Sequence, residues 1–488
     1  MRSRRSLISP VCAWLICLCL ASACGLAPAT PTPVSTATAP APGTAVSAAA
    51  SAAASQPPAA TPAPTSGPAL TPTPNPPAAT PAAATPAASA TLGATSRGRA
   101  ENFTLVGRDP LNGRGWNAGL ALSASCAYVG NRRLPEIAIV DVSDPAQPKA
   151  AGNLSLAPGL TPVEVRALPD LNLLVVLNFA PNLSLMTFDV SDCFHPRPLA
   201  SLALGGSPHE FYLWRDPAQP GRVLAFVAMW GHQQTDLQVA DLSDPAAPKV
   251  IGTWSAPAAG AAGTLHSISL SPDGQRAYLS MWEGGFLLAD SSDFAQARPR
   301  PALRLLNAGH PLLPPPGVDV HSAVPLAGSN DVLLTQEVYS CPFGGLAVAD
   351  IRDPAQPRLE GAFNLPENTA SACPGLPEAD AVFTAHNPLV VGSLAFVSWY
   401  GGGLQALDIS HPAQPVRAGL FVPAGEGPAG GSPYGRYPVQ VWSYPILRGG
   451  LIYVSDIETG LYILRYTGPG AAALNGIALA QGNASWSP

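Results

Sequence analysis

Runs of alternating apolar and polar residues, each five to seven long and separated by Gly or Pro, fill the chain beyond residue 102. Residues 386–422 show one unit in full. HNPLVV is broken by Gly392 and Ser393, LAFVSWY follows, and Gly401, Gly402 and Gly403 mark a turn. LQALDIS then alternates, HPAQP interrupts, and VRAGLFV alternates again. Period-two alternation of β-branched and aromatic residues between Gly and Pro predicts four strands, and no window carries the helical period.

The unit recurs. Its signature is an apolar stretch ending in Asp and followed by a proline-rich break: IAIVDVSDPAQP to Pro148, LQVADLSDPAAP to Pro248, LAVADIRDPAQP to Pro357 and LQALDISHPAQP to Pro415. Weaker copies surround Asp189 and Asp290, and a truncated one places Arg465 where the others have Asp. The anchors Asp141, Asp189, Asp241, Asp290, Asp350, Asp408 and Arg465 are spaced 48 to 60 residues apart. β-rich units at such a period form a radial or stacked array. Proline cannot donate to a strand ladder, so each break is a turn, and its Asp side chains bond their own backbone rather than perform catalysis.

Four strands in each of seven units predict an all-β, seven-bladed β-propeller of four-stranded antiparallel blades. A linear solenoid would carry atypical polar caps at its ends, and none is visible. The last copy stops at Tyr466-Thr467-Gly468, before its fourth strand, whereas FTLVGRDPL (Phe103 to Leu111) matches the missing piece. The N-terminal strand is therefore expected to close the ring by pairing with Leu461 to Leu464, which leaves no open edge. The predicted domain runs over 102–468, followed by a C-terminal tail, 469–488. The copies IAIVDVSDPAQP and LQVADLSDPAAP resemble the LVIVD repeat of bacterial and archaeal exported or surface propellers. The resemblance covers nearly all of 103–468 and implies the fold; it brings no catalytic residue with it.

Ahead of the repeats the composition changes. Residues 1–23 read as a signal peptide, with Arg2, Arg4 and Arg5 before an apolar run from Leu7 to Leu20. Ala21-Ser22-Ala23 suits ordinary signal peptidase, and Cys24 after small residues suits lipidation. Residues 24–101 are dominated by Ala, Pro, Thr and Ser, with too little to bury against the entropy of ordering, and so predict a disordered stalk. A stalk directly after Cys24 favours a lipid-anchored domain on the outer membrane face or in the periplasm over a secreted one. The twin-arginine and general export routes both stay open.

Cys126, Cys193, Cys341 and Cys373 lie beyond Cys24. Their even number fits two disulfides in an exported domain, with three possible pairings. Cys341 and Cys373 share one repeat, which favours that pair. The chain carries 25 basic and 31 acidic residues, a net charge of −6. Without a basic stripe it is not expected to bind nucleic acid, and no apolar stretch beyond the signal is long enough to span a bilayer.

Aligning the units brings His209, His266, His321 and His386 to one position, at the opening of the first strand in four consecutive blades. The other blades have Ala118, Val163 and Ser443 there. First strands line the channel, so the four imidazoles should gather on one side of its mouth, with Glu210 and Asp319 in reach as supporting groups. Two readings stay open: a site for one copper or zinc ion, or a repeat-consensus residue whose imidazole bonds a backbone carbonyl. The other histidines (His195, His232, His310 and His411) fall in loops and are expected to be solvated. Met229-Trp230, Met281-Trp282 and Ser398-Trp399-Tyr400 end the second strands of three blades. They would suit a sugar or peptide surface, but recurrence at one position favours packing between blades. No hydrolase elbow, zinc-protease, phosphate-loop or dinucleotide motif occurs in a supporting context. The sequence thus favours a binding or scaffolding module for a protein, peptide or glycan, with a metal-dependent oxidoreductase built on the histidines as the alternative.

Overall fold

The computed structural model describes residues 98–179, 183–231, 235–315, 319–368, 382–424, 439–482 and 484–486. The signal segment, Cys24, nearly all of the stalk, His232 and Cys373 lie outside the described residues. Seven antiparallel sheets succeed one another along the chain as the blades of a β-propeller. Blade one runs Asn117–Ser123, Cys126–Asn131, Glu136–Asp141 and Lys149–Ser155, and later blades repeat this order from inside to outside. Inner strands such as Asn117–Ser123 are wholly buried, whereas Ser207–Arg215 of blade three is partly so and outer strands such as Lys149–Ser155 are largely exposed. The core consists of apolar clusters shared between neighbouring blades: Trp214, Phe226 and Trp254 of blade three pack with Leu279 and Phe294 of blade four.

The repeated Asp residues do turn chemistry. Asp141, Asp189, Asp241, Asp290, Asp350 and Asp408 each accept, through Oδ1, the backbone N–H two residues ahead, at 2.8–3.0 Å. The second Asp of the break repeats the device in Asp144, Asp192, Asp244 and Asp353. These Asx turns let the chain reverse beside prolines that cannot donate.

The ring closes as the truncated last repeat predicts. Phe103–Asp109 forms the outer strand of blade seven, with Leu105 opposite Leu464 and Asp109 opposite Leu461. Two additions were not legible in the repeat. Arg99–Glu101, at the end of the segment read as stalk, pairs outside Val416–Val422 as a fifth strand of blade six. The C-terminal tail returns to the inner strands: Ala478–Leu479 pairs with Ile446–Arg448, and Ser485–Trp486 runs parallel to Pro388–Val391. Between them the Gln481 side chain bonds both backbone groups of Leu213, and Arg166 donates to the Gly482 carbonyl at 3.1 Å. The tail thereby ties blades two, three, six and seven together on the channel side.

Cys126 and Cys193 form a disulfide with Cα atoms 5.8 Å apart, joining blade one to the turn before the last strand of blade two. Cys341 is also disulfide-bonded, while Cys373, its expected partner, lies outside the described residues.

Candidate metal centre at the channel mouth

The inner strands do not start straight. In blades one, two, three and five the pairing of first and second strands skips residues 118–119, 163, 209 and 321. These β-bulges fall on the aligned position of the histidines. A bulge leaves its extra residue unpaired and re-aims its side chain, here into the channel. In blades four and six the histidine precedes the strand, and the N–H groups of His266 and His386 donate to the Ser280 and Ser398 carbonyls. Neighbouring blades also pin the tier: Ser267 donates to the His321 carbonyl at 2.5 Å and Thr335 to that of His386 at 2.6 Å. Ser398 and Ser455 do the same for Ser443 and Ala118. One bonding device thus serves histidine and non-histidine blades alike.

The four histidines come together. Consecutive imidazole centroids lie 4.3, 4.1 and 4.0 Å apart along His209, His266, His321 and His386. Ala118, Val163, Tyr400, Trp442 and Ile457 form one cluster beside them, and Arg132 and Glu164 complete the far wall. Buried carboxyls face the imidazoles. Oε1 of Glu210 is 3.5 Å from His321 Nε2, Oε2 of Glu337 is 3.8 Å from the same atom, and Oε1 of Glu337 is 3.5 Å from His386 Nε2. Two groups of three potential ligands result, Glu210–His266–His321 and His321–Glu337–His386, which share His321.

Hydrogen bonding decides which nitrogens are available. Nδ1 of His386 lies 2.8 Å from the Trp442 carbonyl, which only accepts, so Nδ1 carries the proton and Nε2 of the neutral imidazole offers a lone pair toward Glu337. His386 fits the backbone-bonded reading, and the His321 backbone also acts on His266. His321 Nδ1 contacts the Ser322 hydroxyl at 2.8 Å, whereas its Nε2 is buried without a hydrogen-bond partner, as is His266 Nδ1. Nε2 of His209 and Nε2 of His266 are 2.8 Å apart. That is a hydrogen bond, one ring donating and the other accepting; two ligands at about 2.0–2.1 Å on a tetrahedral ion stand about 3.3 Å apart, so the rings must part slightly to share one.

Burial shapes the protonation of the whole cluster. It pushes the His209 imidazolium down to about 3 and holds His266, His321 and His386 well below their ordinary 6.5. Burial also raises Glu337 to about 7, against the pull of the Tyr339 and Tyr400 hydroxyls that donate to it. Glu164 is likewise raised to about 7 by burial, and Glu210 goes well above its usual range through burial and the neighbouring Glu164. Tyr444, next to the aligned Ser443 of blade seven, donates to Glu210. Neutral imidazoles and proton-holding carboxyls are what desolvation produces, here outweighing the pull of Arg132 and Arg166 on the carboxyls.

Sequence reasoning missed most of the surrounding wall. At or within two residues of the end of the second strand stand Arg132, Phe179, Trp230, Trp282, Glu337, Tyr400 and Ile457 in blades one to seven. All but the last two line a cavity of about 120 Å³ over the histidines, together with Glu164, Tyr339 and Trp442. Inter-blade packing, expected for the whole aromatic column, holds for Met229, Met281 and Trp399, which are fully buried in the core. Trp230 and Trp282 depart from it. Trp230 packs on His209 at 4.8 Å, and Trp282 stacks on His266 at 4.7 Å. Trp282 and Tyr400 take left-handed backbone conformations (φ 45° and 41°), a strain concentrated beside the site. Asp319 contributes its backbone carbonyl, which accepts from the Glu337 amide; its carboxyl does not line the cavity. His195 and His411 are exposed, and His195 pairs with Asp192 at 2.9 Å.

The LVIVD repeat model matches residues 117–155 and 385–421. No curated protein matches the sequence. Among solved structures, hydrazine synthase of Kuenenia stuttgartiensis is similar at 13% identity with a TM-score of 0.49, over 72% of this chain and 96% of that one. A functionally unknown protein from Desulfotomaculum acetoxidans is similar at 12% identity and 0.44, over 62% and 84%. A chain of the mitotic checkpoint complex is similar at 11% identity and 0.46, over 75% and 94%. No function carries over at these values. The chain is a seven-bladed β-propeller that carries the LVIVD repeat at residues 117–155 and 385–421.

Proposed function

We propose that this propeller holds one divalent transition-metal ion at its channel mouth and uses it to bind and activate a small ligand. The carrying observation is His321, fully buried, whose Nε2 has no hydrogen-bond partner and faces Glu210 and Glu337 at 3.5 and 3.8 Å. An imidazole nitrogen left unpaired in a dry site is costly unless something coordinates it. The residues fit such an ion. Each candidate group joins two histidines and one carboxylate, a donor set used by zinc and by non-haem iron, so iron joins the copper and zinc expected from the histidines alone. Bound, the ion would act as a Lewis acid toward a ligand entering from the cavity. Glu337, oriented by Tyr339 and Tyr400, and Glu210, oriented by Tyr444, would hold or accept protons beside it.

A pure binding or scaffolding module is compatible with the repeat architecture, but it leaves four imidazoles and three buried carboxyls around one cavity without a task. Export and lipid anchoring at Cys24 complete the proposal. They are supported by the signal-like N-terminus and by the Cys126–Cys193 disulfide, which suits an oxidising compartment. Equilibrium dialysis of the full chain against zinc, copper and ferrous ions tests the centre. About one equivalent should bind, and His266→Ala with His321→Ala should abolish binding while the circular dichroism of the folded protein persists. Stoichiometric binding that survives the double change places the ion elsewhere and returns the histidines to a structural role.

A further inference from the structure

We propose that the cavity over the histidines binds a monocyclic aromatic carboxylate, its ring against the tryptophan wall and its carboxylate on Arg132. It shares the cavity of the metal reading and stands on the cavity's size, its aromatic walls and Arg132. Size sets the first limit. The pocket holds about 120 Å³ and opens to solvent on one side, a little less than the apolar cavity of about 150 Å³ that accommodates benzene. One ring is therefore as much as it covers, with the rest of a ligand left at the open mouth. The walls set the second. Phe179, Trp230, Trp282 and Trp442 present aromatic surface on several sides, which suits a flat partner in edge or offset contact.

Polarity sets the third. Arg132 is the one cation among the described lining residues, and its guanidinium lies 4.8 Å from the centroid of Trp442. Its planar fork matches a carboxylate in two-point contact. The buried indole N–H of Trp442 has no partner and would gain an acceptor from the same anion.

Titrating benzoate into the full chain, metal-free and zinc-loaded, with tryptophan fluorescence as readout, tests the inference. Benzoate should saturate at one per chain, with acetate and the non-planar cyclohexanecarboxylate at least about tenfold weaker. Arg132→Gln should weaken benzoate by about tenfold or more, the loss expected of a charge-assisted contact, while zinc stays at one equivalent. Acetate as tight as benzoate, cyclohexanecarboxylate as tight as benzoate, or benzoate unaffected by Arg132→Gln would each overturn the proposal. If Arg132→Gln does not fold, the three-ligand series on the unaltered protein decides. Zinc content of the same samples separates the two readings. Benzoate binding without zinc uptake retires the ion and keeps the ligand; zinc uptake without benzoate binding overturns the ligand and keeps the ion.

Discussion

The cluster at the mouth balances opposite effects of burial, and its pH dependence follows from their signs. The four histidines have folded-state values below their ordinary 6.5. Their contribution to stability is therefore full above 6.5 and is lost as the pH falls. Glu164 and Glu337, raised from 4.5 to about 7, keep protons that the unfolded chain releases, so their penalty grows as the pH rises through that window. Thermal melts of the metal-free protein across pH should show greatest stability near 6.5, with a steep loss below 4.5. Zinc should move the optimum upward, because the ion takes the place of the carboxyl protons. An optimum that zinc leaves unchanged would contradict the assignment. The histidines were legible because repeat register puts four identical residues in one column. Glu337 and Arg132 were not, although their column was in view: it was noticed for its recurring aromatics, and both residues depart from that type.

At the scale of the strand, bulges do the positioning. The first strands of blades one, two, three and five bulge at the histidine position, and six outer strands bulge near their midpoints. A glycine follows the skipped residue in five of the six, at Gly107, Gly152, Gly252, Gly361 and Gly419. A Cβ on Gly107 would sit 2.1 Å from the Pro145 carbonyl oxygen and 2.6 Å from Pro148 Cδ, in the proline-rich turn of blade one. The outer bulge thus receives the neighbour's turn. Gly107→Ala should cost about 1–3 kcal/mol in denaturant unfolding, as overpacking does. Gly309→Ala, where a Cβ meets nothing within 4 Å, should cost under about 0.5 kcal/mol. Equal effects would show that the strand adapts freely. Strand number and turn chemistry were readable from alternation and DPAxP. The inner bulges were not, since they follow from pairing offsets between strands and leave no residue signature.

For the whole molecule, closure and the returning tail decide whether seven blades act as one body. Phe103 brings the first described strand of the ring onto the last: its ring lies 5.2 Å from Tyr466 of blade seven and 6.3 Å from Phe396 of blade six. Phe103→Ala should cost about 3–5 kcal/mol in a single unfolding transition. A cost below about 1 kcal/mol would mean that the closing strand contributes little. The truncated last repeat made closure legible. The tail's return along the inner strands was not, because residues 469–488 share no pattern with the units they pair with. The central claim, one ion held by histidine and carboxylate at the mouth, is tested most directly by anomalous diffraction at the zinc edge from zinc-loaded crystals. The account predicts a single strong peak, with His321 Nε2 and a Glu210 or Glu337 oxygen within about 2.0–2.2 Å of it. A fully occupied peak elsewhere, such as at the exposed His195–Asp192 pair, with none over the histidines, would contradict it.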